Sequence, residues 1–424
     1  MTTVEPVEPT RTATVTKFPG KCAAVLLYSF YPADPRPKRT AEAMVEEGMF
    51  VDLLCLKEFE TEPDEEIVNG VRVFRLSLTK ASGGKLSYFL QYGQFLLQAF
   101  VFLARRGWKG QYDIVHVHNM PDILVFSAIV PKTRGAQIIL DLHDPMPELM
   151  TSIYGLDADH WLVKALRIFE RWSIAFSDLA VTPNIAFKRL FCSRSCPDDK
   201  MGIVINTPEP HIFDPDQLST ELPVPTKGRP YRLMHHGSIL HRHGIDILVE
   251  AIAKIRPQIP DIELDIYGTF TPYLDDVLSL AKKLGVDDRV HYLGAKTQIE
   301  IARCICDYDL GVVPNRRNPF TDINFPTRLF EYLSLRRPVI APNTEGIRDY
   351  FGDDEILYFE PGDPQNLADK ILWAYHHPTE VAEITENGRD VYRRNLWKDE
   401  RDRFVQMVDR LLAPKRPRDS SNFS

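Results

Sequence analysis

The sequence predicts an α/β protein built of two Rossmann-like, doubly wound domains that face each other across a cleft. Three observations carry this expectation. Strand-like and helix-like runs alternate from Lys21 onward, as parallel sheets wrapped by helices require. The alternation stops in a proline-rich stretch, Asn206 to Pro230, and then restarts. At 424 residues, with 44% hydrophobic and 26% charged residues, the chain has ordinary globular composition and is too long for one core.

The first twenty residues hold three prolines and no apolar run, so 1–20 reads as a disordered tail and neither a signal peptide nor an anchor. The first domain is 21–206. CAAVLLYSF opens it as an apolar strand, RTAEAMVEEG has helical spacing, and MFVDLLCL, YDIVHVHN, AQIILDLHD and SDLAVTPN repeat the strand signature. Between them lies the most hydrophobic helix-like stretch, Lys85 to Lys109. It is too polar to span a bilayer, because Gln91, Gln94 and Gln98 recur at helical spacing and Lys85, Arg105, Arg106 and Lys109 mark its ends. Two readings stand for it. One is a helix packed in the core, favoured because the polar stripe carries no lysine or arginine; the other is shallow insertion beside anionic headgroups.

Residues 207–230 crowd prolines and polar side chains without periodicity and read as a linker. The second domain, 231–413, runs through YRLMHHGSI, GIDILVEAIAKI, IELDIYG, PYLDDVLSLAKKLG, RVHYLG, EIARCIC and YDLGVVP. A helix should start at Pro326, since proline suits the first helical position, and PVIAP should be the strand after it. Residues 414–424 are a polar tail.

A formal net charge of -8 gives no basic footprint for nucleic acid. The six cysteines lie mostly in apolar strand-like runs, which suits buried free thiols in a reducing, cytoplasmic setting. Cys192 and Cys196 have no second pair or nearby histidine to complete a zinc site, and no metal is expected.

Ligands of open α/β sheets bind at the carboxyl ends of the strands, so residues following strands come first as candidates. In the second domain HHGSILHRHG, with Gly237, Ser238 and Arg242, suits a phosphate loop, although a Gly-Ser turn with basic neighbours also occurs for structural reasons. Gly268 ends the next strand, where a ligand approaches backbone closely. Arg328 is more telling. A helix N-terminus carries partial positive charge, so an arginine in the first turn is unfavourable unless an anion sits beside it, and a planar guanidinium fork suits phosphate. Glu331, one turn on, suits a ribose diol; an ordinary Arg328/Glu331 ion pair on an exposed helix is the plain alternative. In the first domain DLHDPMPE gathers His143, Asp144 and Glu148 at one strand end, and VHVHNMPD adds His118, Asn119 and Asp122 at the preceding one. These residue types do proton chemistry, although a satisfied, partly buried histidine also fits. The loop after the first strand lacks a G-x-G-x-x-G, which argues against a nicotinamide cofactor.

Across nearly the whole chain these pieces resemble the retaining, nucleotide-sugar-dependent glycosyltransferases of the two-domain GT-B fold (glycosyl transferases group 1, family 4-like), related to those that build bacterial cell-surface polysaccharides. YPADPRPKRTAEAMVEEGMFVDLLCL resembles the family's opening strand, loop and helix, HHGSILHRHGIDILVEAI its phosphate loop, and FPTRLFEYLSLRRPVIAPNTEGIRDYF its donor-binding segment. The resemblance implies that Glu331 binds the donor ribose and Arg328 the diphosphate, and that Phe325, Pro326, Thr327 and Leu329 belong to the donor segment. His243 stands with Arg242 where relatives often carry a lysine. Ile323 stands where many relatives have a sugar-contacting glutamate, with Asp322 beside it. On the other side the resemblance implies an acceptor site with Asp34, Arg36, His118, Asn119 and Glu148, and His143 with Asp144 near the reacting sugar. The implied reaction moves a sugar from a nucleotide diphosphate sugar to a hydroxyl acceptor, a sugar or lipid-linked sugar, with retention. It uses no cofactor beyond that co-substrate, and serves polysaccharide or glycolipid synthesis at the inner membrane face. An epimerase or hydrolase of the same fold, or a non-catalytic sugar-nucleotide-binding subunit, are the rival readings.

Overall fold

Two mainly parallel sheets organise the chain in the computed structural model, which describes residues 16–78, 85–218 and 229–413. The first comprises β1 (Cys22–Phe30), β2 (Phe50–Leu56), β3 (Glu65–Val68), β4 (Val71–Leu76), β5 (Ile114–His118), β6 (Gln137–Asp141), β7 (Leu179–Thr182) and β8 (Met201–Ile203). Their order is β3-β4-β2-β1-β5-β6-β7-β8. β1, β2, β5 and β6 are buried along most of their length, as strands covered on both faces must be. The antiparallel pair β3–β4 was not expected. Its signal is the dipeptide Asn69-Gly70, both at positive φ (52° and 81°), which builds the tight turn of a hairpin.

The second sheet comprises β9 (Tyr231–His236), β10 (Ile262–Tyr267), β11 (Val290–Tyr292), β12 (Leu310–Val312), β13 (Val339–Pro342) and β14 (Leu357–Phe359), in the order β11-β10-β9-β12-β13-β14. All its pairings are parallel. One core layer packs the helices Ile245–Ile255, Pro272–Leu284 and Pro364–His376 on this sheet; the first of these buries Ile245, Leu248, Val249 and Ile252 at helical spacing. The opposite layer is aromatic, with Phe325, Phe330, Tyr332 and Phe351.

Contacts divide the chain into two compact units. One takes the chain through His118, Phe126–Ile138 and the chain from Val405 on; the other takes Asn119–Val125 and Ile139–Phe404. The cut falls elsewhere than residue 206 because Ile139–Ile205 is tied into the second unit. The Ile185 N–H donates to the Tyr350 hydroxyl at 3.0 Å, and the Ile205 N–H donates to buried Glu400 at 2.8 Å. The division falls within the closing helix Trp397–Leu412, between Phe404 and Val405.

Several expected boundaries shift. Phe18 is buried and its N–H donates to the Glu47 carbonyl at 2.8 Å, so residues 16–20 are part of the folded chain; residues 1–15 and 414–424 lie outside the described residues. Within the expected linker, Phe213 joins the aromatic core, while 219–228 lie outside the described residues. The helix expected from Pro326 runs Arg328–Ser334, because Thr327 takes the capping position. All six cysteines are free, but only Cys55 is buried, which pushes its thiol up to about 12. In the helix Lys85–Gly107, Phe95, Ala99 and Leu103 form a buried stripe while Leu90 and Leu97 stay exposed. Among the described residues no helix is long and apolar enough to cross a membrane.

Candidate functional site

The carboxyl ends of β9 and β10 meet where two glycines leave no room for a side chain. Gly237 turns the chain at φ +117° and its N–H donates to the Tyr267 carbonyl at 3.0 Å. A Cβ on Gly268 would lie 2.2 Å from the Gly237 carbonyl oxygen, and one on Gly237 would lie 3.2 Å from a guanidinium nitrogen of Arg328. Only glycine permits this close approach of two strand ends. After the turn, Gly244 at φ +64° starts the helix Ile245–Ile255.

The short helix Arg328–Ser334 is fastened to β9 from below. The Tyr332 hydroxyl donates to the Met234 carbonyl at 2.9 Å, and Arg328 donates to the His236 carbonyl at 2.7 Å, with its guanidinium 3.4 Å from His235 Nε2. Leu329, Phe330 and Leu333 fill the core beneath. This geometry carries Glu331 to the wall of a cavity of about 520 Å³, a volume that suits a small-molecule site. His236, Gly237, Ser238 and Gly268 form one side of it, and Phe213, Lys296 and Gln298 another. Phe213 lies in a stretch that reads as linker. Lys296 lies in the loop after β11 and Gln298 opens the helix Gln298–Ile305 that follows it, so the rule that ligands gather beyond strand ends points to them.

The electrostatics are one-sided. Burial, reinforced by Arg328, pushes His236 and His243 each down to about 3, and holds His235 well below its ordinary value. All three imidazoles are therefore neutral near pH 7. The 3.4 Å contact between His236 Nε2 and Glu331 is accordingly that of a neutral ring with a carboxylate, not an ion pair. Burial also pulls down Arg328, with Tyr332 and Glu331 opposing and Arg242 adding to it; burial pulls down Arg242, with Asp144 opposing. Arginine starts so high that both stay charged. Two partly buried guanidinium groups beside a turn of backbone N–H groups make an environment that an anion with several oxygens would relieve.

Beyond β6, the side chain of Asn119 helps to hold the loop of His143 and Asp144. Asn119 donates to the Asp144 carbonyl at 3.0 Å and to Asp122 at 2.9 Å, and its oxygen accepts from the His143 N–H at 2.8 Å. Asn119 is thus a clamp between two strand-end loops. Burial pushes Asp122 up to about 7. His143 Nε2 lies 4.0 Å from Asp141.

Other expected site residues do not line this cavity. Both oxygens of Glu148 accept from Arg194, at 2.6 and 2.9 Å, in a buried cluster with Glu170, so its carboxylate is committed to the fold. Phe325 stacks among Phe330, Tyr350 and Phe351, and Leu329 is wholly buried; their side chains belong to the core, and Pro326 is buried with them. Thr327 precedes the helix and makes no side-chain capping bond. His118 is wholly buried with its ring 4.2 Å from that of His116. Asp34 precedes the helix Pro35–Glu46 without capping it, and Arg36 is buried in its first turn; both belong to the first unit. Asp322 pairs with Arg317 at 3.1 Å.

Comparison with known proteins agrees with this architecture. Residues 34–207 match the model of a glycosyl transferase 4-like domain, and residues 223–391 match that of glycosyl transferases group 1. Among solved structures, sucrose-phosphate synthase from Thermosynechococcus elongatus is similar with a TM-score of 0.72 at 18% identity, over 93% of this chain and 99% of that one. A glycosyltransferase from Rickettsia africae gives 0.70 at 14% identity, over 93% and 99%. The Anabaena protein Alr3699/HepE in complex with UDP-glucose gives 0.67 at 14% identity, over 92% and 99%. At these identities the likeness is one of fold. No protein of curated function matches the sequence.

Proposed function

Since the chain belongs to the glycosyltransferases that join a 4-like domain to a group 1 domain on the GT-B fold, we propose that it moves a sugar from a nucleotide diphosphate sugar to a hydroxyl acceptor with retention of configuration. The observation that carries this reading is the placement of Arg328 under the Gly237 turn with Glu331 in the cavity wall beside it. Glu331 takes the ribose hydroxyls; Arg328, Arg242 and the Gly237–Ser238 backbone take the diphosphate. As the glycosidic bond breaks, negative charge accumulates on the leaving phosphate, and these preorganised donors bind that charge more tightly than the ground state. Their charge takes the part a metal plays elsewhere, and no metal is required. The acceptor hydroxyl attacks from the face the phosphate leaves, and the departing phosphate oxygen takes its proton. The new C–O bond forms as the old one breaks. His143, oriented through Asn119, contacts the reacting sugar.

The acceptor is a sugar or lipid-linked sugar in the cytoplasm, in polysaccharide or glycolipid synthesis. A structural neighbour solved with UDP-glucose makes uridine diphosphate sugars the first donors to try. The decisive experiment screens nucleotide sugars by thermal stabilisation, then resolves the product anomer by NMR with and without an acceptor and with EDTA. Inversion, or dependence on added metal, overturns the mechanism. Ile323, in place of a sugar-contacting glutamate, favours the binding-subunit reading; donor binding without turnover across an acceptor panel would establish it.

A further inference from the structure

The helix Trp161–Phe176 wears its apolar face outward. Trp161 is 72% exposed, Trp172 57%, Ile168 48% and Phe169 40%, and the adjoining end of the helix Met146–Tyr154 adds Ile153 at 46% and Tyr154 at 50%. The spacing 161, 168, 172 places three of these on one line of a 3.6-residue helix, while Val163, Glu170, Ser173 and Ile174 face inward. Tryptophan is highly buried on average, so two exposed on one stripe call for a partner.

Charge indicates which partner. Lys164, Arg167 and Arg171 follow one another along a single flank of the same stripe. Arg171 spends two hydrogen bonds on the Arg194 carbonyl, not on a carboxylate. Glu170, the acid of this helix, is turned inward to Arg194 and Ser195. Asp157 and Asp159 stand in the turn before Trp161, and Asp159 pairs with Lys164 at 3.1 Å. A basic flank on a chain of net charge -8 is a local feature. We propose that this face docks on an anionic lipid bilayer, with the aromatic and isoleucine side chains entering the headgroup boundary and the lysine and arginines meeting lipid phosphates. A second copy of the chain fits less well, because a two-fold contact through this face brings two identical basic flanks together. The surface differs from the helix that the sequence singles out, Lys85–Gly107, and its docking stands without the transfer reading.

Co-sedimentation with vesicles of phosphatidylglycerol and phosphatidylcholine at low and high salt tests it on the full chain. Wild type should pellet at low salt. Trp161→Ser with Trp172→Ser should lower the partition at least about tenfold. Arg167→Glu with Arg171→Glu should remove the salt-sensitive part, and Leu90→Ser with Leu97→Ser should pellet like wild type. Should a variant fold poorly by thermal melting, wild-type tryptophan fluorescence reports directly through a blue shift on adding vesicles. Wild type that stays in the supernatant, or that shows no blue shift, overturns the proposal. So does a tryptophan variant that pellets unchanged, or a concentration-dependent dimer that this variant abolishes.

Discussion

The guanidinium of Arg328 donates a 2.7 Å hydrogen bond to the backbone carbonyl of His236. The first residue of one helix is thereby fixed to the last residue of a strand 92 positions earlier, at the turn where the cavity begins. A positive charge at a helix start is tolerable here because part of its hydrogen bonding is satisfied by that carbonyl. On the proposed function, the rest of the fork is what meets the donor phosphates.

Replacing Arg328 by lysine should therefore recover turnover only in part, since one ammonium nitrogen does not span the separate positions that the nitrogens of the guanidinium fork reach. Alanine should impair it further. Isothermal titration with nucleoside and with nucleoside diphosphate separates the contributions: the diphosphate alone should lose affinity. Equal losses for both ligands would remove Arg328 from the phosphates.

Glu331→Ala should weaken nucleotide-sugar affinity by about 1.5 to 3 kcal/mol, roughly 10- to 150-fold, as expected for a charged hydrogen bond to a ribose diol. The melting temperature should stay close to wild type, because Glu331 lies at the cavity wall and not in the aromatic core. Unchanged affinity would refute the ribose contact.

Gly268→Ala places a methyl group 2.2 Å from the Gly237 carbonyl oxygen, a backbone atom that can yield only by moving the turn. We expect a stability loss of about 1 to 3 kcal/mol together with weaker nucleotide binding. Denaturant unfolding and titration measure the two effects. A variant of wild-type affinity would show that the turn does not shape the site.

Acid should destabilise the site histidines with a definite sign. His236 and His243 are down to about 3 in the fold against 6.5 ordinarily, so below pH 6.5 the unfolded chain takes up protons that the folded chain refuses until near pH 3. Their contribution is complete above pH 6.5 and is lost as pH falls toward 3, at up to about 1.4 kcal/mol per pH unit for each ring. Unfolding free energy measured against pH should show a shallower acid limb in His236→Gln by about one proton's worth of slope. Identical slopes would mean that His236 is protonated in the fold.

Glu148→Ala should lower stability by roughly 3 to 5 kcal/mol, because it removes a partner from a buried pair with Arg194. Turnover per folded molecule should remain at the wild-type level. A loss of acceptor affinity without a loss of stability would restore Glu148 to the acceptor site.

Local chemistry made much of this legible. Pro326 and the spacing of Leu329, Phe330 and Leu333 announced the helix within two residues, and strand ends marked by Gly237 and Gly268 announced the turn. The Asn69-Gly70 hairpin was equally legible in principle. Phe213, by contrast, sits among prolines and gives no periodic signal, so nothing local shows that it closes the cavity.

The sequence by itself determined the alternation of elements, the mainly parallel character of the two sheets and the identity of the charged residues at strand ends, because these depend on periodicity and on the conformational limits of glycine and proline. Which charges meet was decided only in three dimensions. Glu148 and His143 stand five residues apart and read alike as strand-end acid and base. Yet Arg194, 46 residues beyond Glu148, claims the carboxylate with two hydrogen bonds, while Asn119, 24 residues before His143, holds that residue's backbone. A side chain's role is set by the partner that satisfies its hydrogen bonds and by how much water burial removes. Neither quantity is local in the chain.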